Sequence, residues 1–236
     1  MRNEDRQVVR GLDLFRDMDE ARFDGLLNAA FLQRFPERVV LIEEGDAADF
    51  LHVVIDGTVE LFATLDKRES TMTVLSPIST FILAAVLKDA PYLMSARTRT
   101  PSRILMIPSQ NVREAMAEDD AFARSIVNEL ASCYRGVVRN QKNLKLRTGV
   151  ERLASYLSHH HARQGANGKL ALPIDKRTLA SMLGMTPENL SRAFSTLRKN
   201  GVSVDGPEIM IKSADDLNAI ARFAPLIDNY PVQQSD

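Results

Sequence analysis

The stretch from Asp175 to Gly201, DKRTLASMLGMTPENLSRAFSTLRKNG, admits few structures. Leu179, Ala180, Met182 and Leu183 give a first helix a short apolar face. Gly184 supplies the positive φ that ends a helix, where a side chain would clash. Thr186 then stands where an N-cap belongs, Pro187 at the first helical position and Glu188 in the first turn. The second helix presents Leu190, Phe194 and Leu197 inward and turns Glu188, Ser191, Arg192, Thr196 and Lys199 outward. Two short helices joined by so tight a turn make a helix-turn-helix, whose second helix offers its N-terminal side chains to a DNA major groove. An ordinary helical hairpin is the competing reading of these residues, and the rest of the chain decides between them.

The charge is distributed unevenly. The 236 residues carry a net charge of −1. Arg139–Asn200, however, holds 12 Lys/Arg against 3 Asp/Glu, and the remainder holds 18 against 28. A basic block centred on the helix-turn-helix is the electrostatic footprint of a phosphate-contacting module, whereas a charge run by itself is a solvated face. The single cysteine excludes an intramolecular disulfide framework and an all-cysteine iron–sulfur site within one chain. No apolar run approaches the roughly 20 residues that span a membrane, and the charged N-terminus lacks a signal-peptide core. A reducing cytoplasm is the expected compartment, with no membrane partner.

Ahead of the basic block the periodicity changes twice. A helix is expected from about Asp19, with Phe23, Leu26, Leu27 and Ala30 on one face, preceded by Leu12, Leu14 and Phe15. From Phe31 to Pro108 come short β-prone runs at 39–42, 51–55, 58–62, 72–75 and 104–107, with turn signals at Glu44-Gly45-Asp46, Asp56-Gly57 and Asp66-Lys67. Many short strands so spaced predict a β-roll of the jelly-roll kind. A short helix over 109–118 and a long one from about Asp119 to Leu144 follow. Ile126, Leu130, Cys133, Val137, Asn140 and Leu144 recur along the long helix as a heptad seam, which predicts pairing with the same helix of a second subunit; the alternative is a lone amphipathic helix on its own β domain. A further helix from Thr148 to Arg163 buries Val150, Leu153, Ala154 and Leu157, and its His159-His160-His161 reads as a solvated end, since successive helical residues point about 100° apart and cannot converge on one metal. A strand over 169–173 leads into the helix-turn-helix. A hairpin through the Asp205-Gly206 turn forms a wing, and Ser213 caps a closing helix with Leu217, Ile220 and Ala221. The tail from Pro225 carries no clear signal.

The fold class is therefore α+β, in three parts: a β-roll effector domain with flanking helices at 1–118, a long dimerisation helix at 119–144, and a winged helix-turn-helix at 145–236. In this order the chain resembles the cyclic-AMP receptor protein/FNR family of bacterial transcription regulators, from about residue 12 to 221. The resemblance rests on EGDAADFLHVVIDGTV (44–59) in the β-roll. In the helix-turn-helix it rests on Leu179-Ala180 through Gly184 and on Glu188-Asn189-Leu190-Ser191-Arg192. It implies a homodimer on double-stranded DNA, contact with RNA polymerase, and base reading by Glu188, Ser191 and Arg192. The Glu-x-x-Ser-Arg form is similar to the FNR-type subgroup and implies a palindrome of TTGA-type half-sites. Pro187 departs from the basic residue common at that place in the receptor-protein branch.

The side-chain chemistry agrees. Arg192 suits a bidentate contact to guanine O6 and N7, Glu188 accepts from cytosine N4, and Ser191 serves as donor or acceptor. Arg152, Lys176, Arg177, Arg198 and Lys199, with hydroxyl or amide contacts from Thr178, Thr186 and Asn189, are candidates for positioning contacts to phosphate.

Control of the switch is read by subtraction. Cyclic-nucleotide binders of the family carry a Gly-Glu-Leu stretch and an Arg that clamps the cyclic phosphate. Here those places hold Phe81-Ile82-Leu83 and Tyr92-Leu93, which argues against cyclic AMP. Arg97 and Arg99 match a strand of the family, not its clamp. Cys133 alone argues against an iron–sulfur cluster and reads as a small core residue. Phe81, Ile82, Leu83, Tyr92, Leu93 and Met94 form a candidate apolar effector pocket, for a haem or a hydrophobic small molecule, with His52 a candidate axial ligand. The alternative is that they pack against the long helix and bind nothing. The competing class, an enzyme or a sensor that does not bind DNA, finds no nucleophile–base pair, phosphate-cradling loop or metal spacing to support catalysis.

Overall fold

The computed structural model describes residues 3–165, 168–172, 174–205 and 208–228. The chain divides into two compact units, Met1–Tyr134 and Arg135–Asp236.

In the first unit, α1 (Asn3–Arg10) and α2 (Glu20–Asn28) precede the strands. Asp19 caps α2, its carboxylate accepting from the Arg22 N–H. Eight strands then form two antiparallel four-stranded sheets: β1 (Phe31–Phe35), β2 (Val40–Ile42), β3 (Phe50–Asp56), β4 (Val59–Leu65), β5 (Arg68–Leu75), β6 (Ser79–Phe81), β7 (Ser95–Thr98) and β8 (Ser102–Pro108). One sheet runs β1-β8-β3-β6, the other β2-β7-β4-β5. The Asp66-Lys67 turn is a tight hairpin in which both residues have positive φ, 47° and 66°, so β5 begins at Arg68, four residues ahead of the apolar run that marks it in the sequence. Gly57 (φ 84°) turns β3 into β4, and a Cβ there would lie 2.5 Å from the Pro101 carbonyl oxygen, so the turn accepts no side chain. The apolar segment after β6 winds into α3 (Leu83–Lys88), followed after β8 by α4 (Ser109–Glu118).

Between and beside the sheets lies one continuous core containing Phe15, Phe23, Leu51, Val53, Ile104, Leu105 and Ile107. The long helix α5 (Asp120–Leu146) joins it through Phe122, stacked on Phe15 at 5.7 Å, and through Ile126. Ile126 is therefore a core residue of its own domain and not part of an open seam. It stands four residues after Phe122 on the face that α5 turns to the β-roll. The apolar side chains left exposed are Val127 (60%), Tyr134 (70%), Val137 (66%), Val138, Leu144 and Leu146. Leu130 is half-buried, and Cys133 and Asn140 are exposed.

In the second unit, α6 (Gly149–Arg163) begins with a full capping box, the Thr148 hydroxyl accepting from the Glu151 N–H and the Glu151 carboxylate from the Thr148 N–H. β9 (Lys169–Ala171), β10 (Val202–Asp205) and β11 (Glu208–Ile211) form an antiparallel sheet in the order β10-β11-β9. The anticipated wing turn at Asp205-Gly206 and the end of the 169–173 strand at Pro173 reach positions outside the described residues. α7 (Lys176–Met182) and α8 (Pro187–Arg198) lie between β9 and β10, and α9 (Ala214–Ala221) and the short α10 (Pro225–Asp228) close the unit. Leu153, Leu157, Leu170, Leu179, Leu190, Leu197, Ile209 and Leu217 are buried.

The histidine run is not a solvated end. His161 follows Leu157 by one turn on the buried face, and its Nε2 accepts from the Gly168 N–H at 3.1 Å. His160 packs on Tyr156, ring centroids 4.2 Å apart, and burial, then the neighbouring His159 and Arg163 charges, lower its pKa to about 4.

Candidate nucleic-acid interface

Capping sets the start of both helices of the motif. Asp175 accepts from the Thr178 N–H at 2.9 Å, and Thr186 from the Asn189 N–H at 3.3 Å, with Pro187 opening α8. Gly184, at φ 62°, follows the C-cap Leu183 and ends α7. Leu190, Ala193, Phe194 and Leu197 bury one face of α8. Glu188, Asn189, Ser191, Arg192, Ser195, Thr196 and Lys199 are all exposed. The structure thus brings Glu188, Ser191 and Arg192 onto one solvent face at spacings of three and four residues. The Glu188 carboxylate is held below its ordinary pKa by the Thr186 hydroxyl, by its own backbone N–H and by the Arg192 charge, so at neutral pH it is purely an acceptor. Ser195, left unassigned by the sequence reading, lies on the same face and donates its hydroxyl proton to the Ser191 carbonyl at 3.0 Å.

The positioning candidates divide. Lys176, Arg177, Arg198 and Lys199 are exposed, and the Lys176 ammonium stands 6.0 Å from the Phe194 ring centroid. Thr178, by contrast, is buried, its hydroxyl donating to the Asp175 carboxylate at 2.9 Å. Arg152 is a joint of the fold: Nε donates to the Leu183 carbonyl at 2.8 Å, and its terminal nitrogens donate to the Arg147, Leu144 and Gly184 carbonyls. Those carbonyls lie at the C-terminal ends of α5 and α7, where the last turn of a helix leaves acceptors unpaired. A second basic residue of the block is consumed in the same way. Arg147 makes a bidentate pair with Asp228 at 2.7 and 2.5 Å, its side chain only 3% exposed. Both commitments were invisible as sequence, where a guanidinium reads only as a positive charge.

The two halves of the chain match two families of domain. The cyclic nucleotide-binding domain family matches residues 32–119, and the Crp-like helix-turn-helix domain family matches residues 151–220. A solved regulatory protein from Silicibacter pomeroyi DSS-3 is 30% identical over 94% of this chain and 100% of that one, with a TM-score of 0.61. The chain belongs to the Crp/Fnr family. This Crp/Fnr protein is a DNA-binding transcription regulator, of a family of regulators and not of enzymes. A CRP-like cAMP-activated global transcriptional regulator of Mycobacterium tuberculosis is 24% identical over 92% of this chain and 99% of its own. The transcriptional activator protein anr of Pseudomonas aeruginosa is 24% identical over 77% of this chain and 76% of its own. FixK2 of Bradyrhizobium japonicum shares the fold at a TM-score of 0.71 and 22% identity, covering 83% of this chain and 98% of that one. No helix among the described residues is long and apolar enough to cross a membrane.

In the β-roll of this Crp/Fnr protein the six candidate pocket residues do not line a common space. Phe81, Leu83 and Tyr92 are packed in the core, the Tyr92 hydroxyl donating to the Phe50 carbonyl at 3.2 Å. Ile82 and Met94 pack against that core from its edge. Leu93 points into solvent, 81% exposed. His52 is buried on β3 with its ring stacked on Phe81 at 5.1 Å and Phe50 edge-on to it. Its Nδ1 finds no hydrogen-bond partner, and burial drives its pKa down to about 4, with a contact to the Phe50 backbone opposing. A haem needs an open ring-sized slot beside its axial nitrogen. Here Nδ1 is enclosed by protein atoms, with Phe81 stacked over the face of the ring and Phe50 edge-on to it, so these residues do not fit one. Arg97 and Arg99 are bound to Glu60 of the adjacent strand, at 2.9 and 3.2 Å, and Arg97 also grips Glu69.

Proposed function

We propose that the regulator acts as a homodimer that reads a palindrome of TTGA-type half-sites through Glu188, Ser191 and Arg192, under the control of a β-roll that does not answer cyclic AMP. The observation that carries this reading is the single exposed face on which α8 presents an ionised acceptor, a hydroxyl and a guanidinium above four buried apolar residues. Such a face supplies complementary groups for cytosine, for either kind of edge, and for guanine respectively. Lys176, Arg177, Arg198 and Lys199 flank it as phosphate contacts, with Thr186 and Asn189 at its N-terminal end. Dimerisation is supported by the exposed Val127, Tyr134, Val137 and Leu144 along α5. The lack of a phosphate clamp at Tyr92-Leu93 supports an effector other than a cyclic nucleotide, or none. Contact with RNA polymerase rests on the family resemblance.

Mechanistically, an effector acts only by unequal affinity for two poses of the reading helices. A change of pose is expected to turn at residues near Asn140 to Arg147, towards the end of α5 and ahead of α6.

The test is a mobility shift of the full chain against a TTGA palindrome and random DNA in a salt series. Specific binding is expected to fall linearly in log affinity with log salt. Arg192→Ala is expected to cost about 1–3 kcal/mol on the palindrome and to relax base preference at one position per half-site. Equal losses on palindrome and random DNA would refute a reading role. An absorption spectrum of the protein purified from its host, without a Soret band, is the expected outcome for the effector domain; a Soret band that disappears in His52→Ala would overturn the packing argument against haem.

A further inference from the structure

The reading face of α8 is larger than the three residues that the family pattern marks. Helical residues advance by about 100° each, so the buried row of Leu190, Ala193, Phe194 and Leu197 fixes an inward direction. Relative to the opposite, outward direction, Glu188 stands about 10° away, Arg192 and Ser195 about 30° on either side, and Ser191 about 70°. Ser195 is therefore more centrally placed than Ser191. It lies about 4.5 Å further along the helix axis than Arg192, against roughly 3.4 Å between successive base pairs.

Its hydrogen bonding is specific. The Ser195 hydroxyl donates to the Ser191 carbonyl at 3.0 Å. A hydroxyl has one proton and two lone pairs, so with the proton engaged within the helix the oxygen faces the groove as an acceptor only. In the major groove the donors on base edges are the adenine N6 and cytosine N4 amino groups. Thr196 makes the same back-bond, to the Arg192 carbonyl at 3.1 Å, but sits about 70° off the outward direction and belongs to the flank.

We infer that Ser195 is a further base-reading residue, accepting from the amino group of an adenine or cytosine one base pair beyond that reached by Arg192. The inference rests on the DNA-reading face proposed above. Ser191 and Ser195 then divide the work: one hydroxyl free to donate or accept, the other restricted to accepting.

The experiment is a base-by-base substitution scan of the half-site, read by competitive mobility shift, with the full wild-type chain and Ser195→Ala. Alanine at this exposed helical position raises helix propensity, so the variant folds, and a melting curve checks it. The expected result is a loss of about three- to tenfold on the preferred site, the scale of one neutral hydrogen bond. Preference should vanish at one base pair per half-site and stay unchanged at the others. The deciding arm replaces the base at that position by its analogue lacking the amino group, purine for adenine or 2-pyrimidinone for cytosine. The analogue is expected to weaken wild type and leave Ser195→Ala unaffected. Equal weakening of both proteins, an unaltered base profile for Ser195→Ala, or an equal loss on random DNA overturns the inference while leaving the Arg192 reading intact. A wild-type chain with no base preference at any position overturns both.

Discussion

Truncating Asp228 to alanine should destabilise the DNA-binding unit far more than its place near the end of the chain suggests. The carboxylate accepts from both terminal nitrogens of Arg147, from the Ser155 hydroxyl at 2.8 Å and from the Ala224 N–H at 2.7 Å. The side chains of the pair are 3% and 9% exposed, so solvent screens them little. Removing one partner of a buried ion pair leaves an uncompensated charge, at a cost of about 3–5 kcal/mol. Arg147 keeps Asn143 Oδ1, Ser155 Oγ and the Arg222 carbonyl at 3.0–3.1 Å, which places Asp228→Ala at the low end of that range. With a denaturant slope of about 2 kcal/mol per molar urea, a loss of about 3 kcal/mol moves the midpoint down by about 1.5 M. Circular dichroism along a urea titration of the full chain measures it. The companion variant Arg147→Met with Asp228→Leu removes both charges and should recover most of the loss, because the desolvation cost disappears with the charges. A shift under 0.3 M for Asp228→Ala, or no recovery in the double variant, would show that the pair is not what holds α10. The pH dependence carries the same signature. Burial alone would raise the Asp228 pKa, but hydrogen bonds from Arg147, Ala224 and Ser155, with the Arg147 charge, hold it below the usual carboxylate range. Its stabilisation is therefore fully present above the unfolded value of about 3.9 and is lost as the pH falls through the lower folded value. Asp228→Asn should lack this acid limb.

Two further outcomes follow from buried groups. His52 is held neutral with its pKa lowered to about 4, so the β-roll is fully stable above the unfolded value of about 6.5 and loses on the order of 3 kcal/mol as the pH falls from there towards 4; thermal melting of His52→Leu should show a flatter profile across that window, and an unchanged profile would mean the imidazole is hydrated. Arg152→Ala should lower the melting temperature of the DNA-binding unit, on the scale of about 2 kcal/mol for several lost side-chain-to-carbonyl bonds, while the slope of log affinity against log salt stays at its wild-type value. A shallower slope would return Arg152 to the phosphate contacts.

What could be read in advance was what local chemistry dictates. Thr186-Pro187-Glu188 announce the start of α8 and Gly184 the end of α7, and those boundaries follow. Asp66-Lys67 marks its hairpin for the same reason. Polar side chains whose partners come from distant segments were opaque. Arg147 meets Asp228 across 81 residues and Arg152 reaches 31 residues on to Leu183. A sequence shows that an arginine is charged but not whether its charge is already spoken for. Thr178 failed more simply: two residues before the buried Ala180 and next to Leu179, it turns its hydroxyl back to its own N-cap. Leu93 shows the opposite error, since apolar composition in 81–94 suggested a lining surface and the chain instead leaves that leucine in water.

The Arg152 fan has a mechanical meaning. One guanidinium holds carbonyls from the last turn of α5, at Leu144 and Arg147, together with carbonyls that end α7, at Leu183 and Gly184. At the same corner, a Cβ at Gly184 would come within 2.9 Å of the Leu144 side chain, so the two chain segments touch without a spacer. The final turn of the long helix is thereby fastened to the base of the helix-turn-helix by a single arginine, so these two segments are expected to move as one piece.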